Sequence, residues 1–321
     1  MDIFWDSLSL SKTGGTFFFN DTVEGTTLTV NAGAYSVVFN DGGTITNDVN
    51  FFNTGTIILG NDASDSLTFS GGLDTTAASI ASIAGMVATT NNQMDLGVVT
   101  VIANSTLVAS EINFQGGANS VDGLVDLTLK PASSAADITV GQVADSGGTV
   151  FDLTDTDLAA LTDGFSSITI GDASSGTGAV DVDSSTFNDP VAIVGGSLSV
   201  TGLNAGANDV LLTARVGQIS EGGPGTDVTG ATVTLNGNIA PGGSPGQLVI
   251  SGGVALVSTD IFTAELNGTT PGTQHDQIQV PGPGRTVTLN NATLNASLGG
   301  GIRPIRGISW SLLTMSRPVP A

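Results

Sequence analysis

The sequence predicts an all-β chain wound as a parallel solenoid with incompletely capped ends. Three observations carry that prediction. Short β-rich runs recur from one end to the other. Corners rich in Gly, Asn, Asp and Ser separate them. No Pro-rich or charged linker interrupts the texture.

The runs include residues 26–30 (TTLTV), 35–39 (YSVVF), 56–59 (TIIL), 66–69 (SLTF) and 98–102 (VVTVI). Later examples are 124–129 (LVDLTL), 167–170 (SITI), 191–194 (VAIV), 231–235 (ATVTL), 247–250 (QLVI) and 286–289 (TVTL). Many alternate an aliphatic residue with Thr, Ser or Asp. Period-two alternation sends one set of side chains inward and the other outward. Corners such as Asp41-Gly42-Gly43 and Ser251-Gly252-Gly253 tolerate the left-handed backbone that tight bends need. A single sandwich is hard to extend over 321 residues. Stacked coils of roughly 20–25 residues fit the even texture better. The dense Phe17-Phe18-Phe19 and Phe51-Phe52 groups are expected to fill the core.

One segment breaks the pattern. In residues 75–92 (TTAASIASIAGMVATTNN), Ile80, Ile83 and Val87 have helical spacing, which Gly85 and the Thr-rich flanks oppose.

Composition excludes several functions. Net charge is −22, with 29 acidic residues against 7 Lys plus Arg, so binding to nucleic acid is not expected. Insertion into a membrane is not expected either, because no stretch nears the ~18–20 apolar residues of a spanning helix. A mean hydropathy of +0.27 is too high for a disordered acidic tail. With no Cys, disulfide scaffolds, thiolate metal sites and thiol catalysis are ruled out.

Several stretches resemble the β-strand repeats of very large bacterial surface proteins of the filamentous-haemagglutinin and autotransporter-passenger type. They are residues 88–97 (ATTNNQMDLG), 121–129 (VDGLVDLTL) and 161–171 (LTDGFSSITIG). The closest is Gly237-Asn238-Ile239-Ala240-Pro241-Gly242-Gly243-Ser244-Pro245-Gly246, continuing to Gly272-Thr273-Gln274-His275-Asp276-Gln277-Ile278. The resemblance implies a right-handed parallel β-helix and export to the cell surface or medium. It also implies a structural or adhesive role as an elongated stalk. Partners would then be neighbouring repeats of a longer parent chain, and a glycan or surface protein. The resemblance carries over no catalytic residue and no cofactor. The opening residues 1–6 (MDIFWD) lack the cationic start and apolar stretch of a signal peptide, so the export address is expected upstream and the chain is read as a fragment.

The solenoid is expected over residues 1–300. Residues 301–321 are out of character, holding Arg303, Arg306 and Arg317 together with Trp310. A reading-frame slip accounts for that change, because a permitted back-translation in a shifted frame restores an acidic, strand-like texture. A genuine basic tail is the alternative.

Asp152, Asp155, Asp157 and Asp163 form the densest acidic cluster, but Asp155-Thr156-Asp157 offers only a fragment of a calcium loop. A solvated acidic turn is the expectation. Gly222-Gly223-Pro224-Gly225-Thr226-Asp227 matches the start of the calcium nonapeptide G-G-x-G-x-D-x-U-x, but Thr229 replaces its large apolar residue and no second copy follows. His275, the single histidine, stands beside Asp276 and is expected to be structural. No catalytic, cofactor or metal residue is therefore assigned. The rival function is a polysaccharide-acting β-helix enzyme, because scattered carboxylates can form a hydrolytic pair. A hydrolase is favoured over a lyase, since Lys130 and Arg215 are the only cations between Lys12 and Arg285.

Overall fold

A computed structural model of the chain describes residues 2–145, 149–242, 245–299 and 312–315. It is 58% strand and 2% helix, and its parallel sheet winds as a β-solenoid of about 12 turns. The chain divides into two compact units, Met1–Ile138 with Gln142–Asp172, and Thr139–Gly141 with Ala173–Ala321.

In the first unit every rung contributes strands to three stacks. One stack carries the column Phe17, Val37, Ile57, Ala81, Val99 and Val121, each paired in register with the next. From Val37 onward, successive members are 20, 24, 18 and 22 residues apart, which is the length of one coil. The second stack carries Leu67, Val87, Leu107, Leu129 and Ile170. The third carries Val49, Leu73, Met94 and Ile112. All of these side chains except Phe17 are buried. Each buried aliphatic side chain contributes about 1.5–3 kcal/mol. Stacking also pairs the backbone N–H and C=O groups of each inner rung with the rungs above and below.

The same logic holds in the second unit. Ile193, Leu212, Leu235 and Leu256 form one buried column, and Val180, Leu198, Ile219 and Ile239 another. Ser185, Leu203, Val228 and Ile250 make the third. Burial fades toward the C-terminal side. Leu294, which continues the second column through Phe262, is 54% exposed.

Residues 80–89 are strand, not helix. The strand Ile80–Thr89 pairs with both flanking rungs, and its register shifts between Ile83 and Gly85. Gly85 sits at φ +69°, and a Cβ there would lie 2.3 Å from the Asp65 carbonyl oxygen. The chain therefore turns from one stack to the next at Gly85. The helical spacing of Ile80, Ile83 and Val87 does not mark one face: Ile83 and Val87 are buried inward residues, whereas Ile80 is half-buried and pairs with Thr56.

The phenylalanine groups are only partly core. Phe19 and Phe51 are buried, but Phe18 and Phe52 are 61% and 56% exposed because neighbours along a strand face opposite ways. Phe17 lies under the Lys12 ammonium, 4.3 Å from the ring centre. Phe19 stacks on Phe39 at 4.6 Å and 8°, and Phe39, Phe51 and Phe69 meet edge to face at 6.1–6.4 Å. Within residues 301–321 only 312–315 are described, and Leu313–Met315 pairs with Gln277–Val280. Arg303, Arg306, Trp310 and Arg317 lie outside the described residues.

Phe39 is the hub of this ring cluster. Phe39→Ala is expected to cost about 3–5 kcal/mol in urea denaturation. A loss below about 1 kcal/mol would show that the rings do not hold the first coils together.

Candidate functional site

Of the acidic cluster at 152–163, two members are buried and two are not. Asp152 and Asp157 are 0% and 4% exposed, whereas Asp155 and Asp163 face solvent. The difference follows from local structure. The strand Phe151–Thr154 is fully buried and runs into the short helix Asp155–Ala160. Thr154 caps that helix, and its hydroxyl accepts from the Asp157 amide at 3.3 Å. Asp157 returns the contact, accepting from the Thr154 amide at 3.0 Å and from its hydroxyl at 2.5 Å. Such a reciprocal box stabilises a helix start. The other Asp157 oxygen accepts from the Phe114 amide at 2.8 Å, tying the helix to the rung Glu111–Phe114.

That rung supplies a carboxylate that the sequence reading missed. Ile112 and Phe114 point inward, so Glu111 and Asn113 point outward. The excursion after Pro131 then covers Glu111. The Asp152 amide donates to its carboxylate, but its Oε1 is buried without a hydrogen-bond partner. Burial pushes Glu111 up to about 8, and the nearby Asp152, Asp145 and Asp157 push in the same direction. Burial likewise raises Asp145, helped by Asp157 and Asp152.

Beside this cluster lies an open cleft of about 470 Å³, lined among others by Gln93, Asn113, Gln115, Asp145, Thr156 and Asp157. The three amides are held in place by a further carboxylate. Gln93, Asn113 and Gln115 all donate to Asp95 Oδ1, at 2.8, 3.0 and 2.8 Å. Chemically, the cleft combines one exposed carboxylate, Asp145, with amide groups. Glu111, the group able to carry a proton near neutrality, does not line it, and both Asp157 oxygens are engaged. A hydrolytic pair needs two carboxyl groups that reach the same bond.

The remaining sequence candidates serve the rungs. Asp227 is 1% exposed and accepts from the Val249 amide at 2.7 Å, so it is turned away from any calcium turn over 222–227. Asp276 accepts from the amides of Gly246 at 2.6 Å and Glu265 at 2.7 Å. With both oxygens so engaged, Asp276 does not orient His275 for catalysis. His275 is wholly buried, and neither ring nitrogen has a hydrogen-bond partner. Among the described residues, no three His, Cys, Asp or Glu side chains are placed to hold a metal ion. The cations also serve structure. Lys130 pairs with Asp172 at 3.3 Å, and the Arg215 guanidinium donates to the Ala173 and Ser174 carbonyl oxygens.

Glu111 sets a pH dependence for the first unit. Its folded-state pKa lies above the ordinary value, so its contribution is fully present below about pH 4.5 and is lost as pH rises through about 8. Glu111→Gln is expected to stabilise the chain at pH 9 by roughly 1–3 kcal/mol, the cost of an unpartnered buried polar group. At pH 5 the same substitution should change stability by less than about 1 kcal/mol. Urea denaturation of both proteins at the two pH values checks the sign, and a substitution equally neutral at pH 9 would refute it.

Compared with protein-family models, curated proteins and solved structures, the chain matches none of them.

Proposed function

We propose that this chain is a structural segment of a large exported bacterial surface protein, in which stacked coils act as a spacer or adhesive stalk. The observation that carries this reading is where the buried acids point. Asp157, Asp227, Asp260 and Asp276 each accept hydrogen bonds from backbone amides of neighbouring segments. A catalytic carboxylate has to keep a lone pair or a proton for substrate, whereas these serve the scaffold. The resemblance of residues 237–246 and 272–278 to closing repeats of passenger proteins supports the same reading. The cell surface or the medium is the corresponding location.

A polysaccharide hydrolase is the second reading. It is favoured by one observation, the protonatable Glu111 surrounded by Asp145, Asp152 and Asp157 beside an open polar cleft. The scarcity of cations weighs against acidic substrates.

Incubation of the full chain with a panel of neutral and acidic polysaccharides distinguishes the two. The spacer reading expects no release of reducing ends. Release that disappears in Asp145→Asn or Glu111→Gln would overturn it. Binding on a glycan array, without turnover, would assign the adhesive variant of the stalk. Absence of binding there would leave a pure spacer.

A further inference from the structure

The strand Gln247–Leu256 begins in an unusual way. Three of the backbone N–H groups in and just before its first residues donate to carboxylates brought from three other segments. The Gly246 amide donates to Asp276 Oδ1 at 2.6 Å. The Gln247 amide donates to the Glu221 carboxylate. The Val249 amide donates to Asp227 Oδ2 at 2.7 Å, and the Asp227 amide donates back to the Val249 carbonyl oxygen at 2.9 Å. Glu221 ends the strand Val210–Glu221, Asp227 immediately precedes Val228–Ile239, and Asp276 immediately precedes Gln277–Val280. The clamp thus joins the start of this strand to the preceding coil, through Glu221 and Asp227, and to the following one, through Asp276.

The local sequence is shaped for this approach. Gly242 has φ +90°, and a Cβ there would lie 2.2 Å from Glu221 Oε1. Only a glycine lets the chain pass so close to that carboxylate. Asp227 and Asp276 are 1% and 4% exposed, so water screens them little.

We infer that this three-carboxylate clamp is a pH-responsive latch: protonated, it holds the start of Gln247–Leu256 onto its neighbours, and ionised, it loosens that start. Ionising the clamp places like charges together in a poorly hydrated site, where repulsion and desolvation both oppose it. The titratable groups facing the three are one another, Glu265 and His275. Burial raises all three carboxyls, with Asp227 reaching about 7, while the backbone donors pull the other way. For a carboxyl raised in the folded state, the stabilising contribution is fully present below its unfolded pKa and lost as pH rises through the folded value. For Asp227 that window runs from about pH 4 to beyond about 7.

Hydrogen–deuterium exchange of the full chain at pH 5 and pH 8, corrected for intrinsic exchange, tests the latch. Protection of amides 246–250 should fall about tenfold on going to pH 8, the equivalent of one pKa unit of linkage. Amides of Thr56–Leu59 in the first unit serve as the internal reference. Asp227→Asn and Glu221→Gln keep an oxygen for the Val249 and Gln247 amides but cannot ionise, so each should shrink the fall to below about threefold. Equal protection at both pH values in the parent chain would overturn the latch. So would an undiminished fall in both variants. If Asp227→Asn does not fold, Glu221→Gln at the half-buried position gives the same comparison.

Discussion

Register between successive parallel strands is the constraint on which everything else in this chain depends. Because side chains alternate, a slip of one residue would turn every inward aliphatic outward. The columns Val37–Ile57–Ala81–Val99–Val121 and Ile193–Leu212–Leu235–Leu256 show register held over successive rungs within each unit. Coil length is not constant, so register is not set by counting. It is set rung by rung, by corners that absorb extra residues. Opposite Gly85, the strand Val99–Ala109 takes up two extra residues between Val101 and Ser105, and the shift between Thr229 and Thr232 marks another such irregularity.

This arrangement also explains how an acidic chain buries carboxylates with so few cations to pair them. A buried carboxylate needs donors, and an exposed lysine would be a weak substitute. The donors are backbone amides of nearby segments, those of Phe114, Gly246, Val249 and Glu265 among them. Asp260 shows the pattern plainly. It is fully buried, and its oxygens accept from the amides of Gly237 and Val257. Each such aspartate ties a corner to a neighbouring segment and so helps to fix register.

The architecture was legible in the sequence because it rests on short-range signals. Alternation in 56–59 or 231–235 names the inward residues, and Gly-rich corners name the bends. Where the local signal mixed two periods, as at residues 75–92, an outer Ile80 beside the inner Ile83 and Val87 counterfeited a helical spacing. The Phe pairs misled for the opposite reason: alternation sends only one of Phe51 and Phe52 inside. The buried acids were much less legible. Asp157 carried a local signature, Thr154 three residues before it. Glu111 carried none, because alternation puts it outside and only a segment some forty residues later covers it. Asp227 and Asp276 stood within stretches singled out for glycine or histidine; the Val249 donor of Asp227 lies 22 residues away, and the Gly246 and Glu265 donors of Asp276 lie 30 and 11 residues away.

Such long-range pairing separates the scaffold use of a carboxylate from its catalytic use. A catalytic acid must change protonation while its surroundings stay rigid. At Glu111 the surroundings are a capped helix and a packed rung, which is rigid enough, but Oε1 is closed off from the cleft that substrate would occupy. The Asp152 amide that donates to Glu111 belongs to the strand Phe151–Thr154, whose four residues are all buried. The burial that raises the pKa of Glu111 thus also encloses its Oε1. In a solenoid, access and perturbation conflict whenever the acid is covered by the segment that perturbs it, and Glu111 is covered in that way.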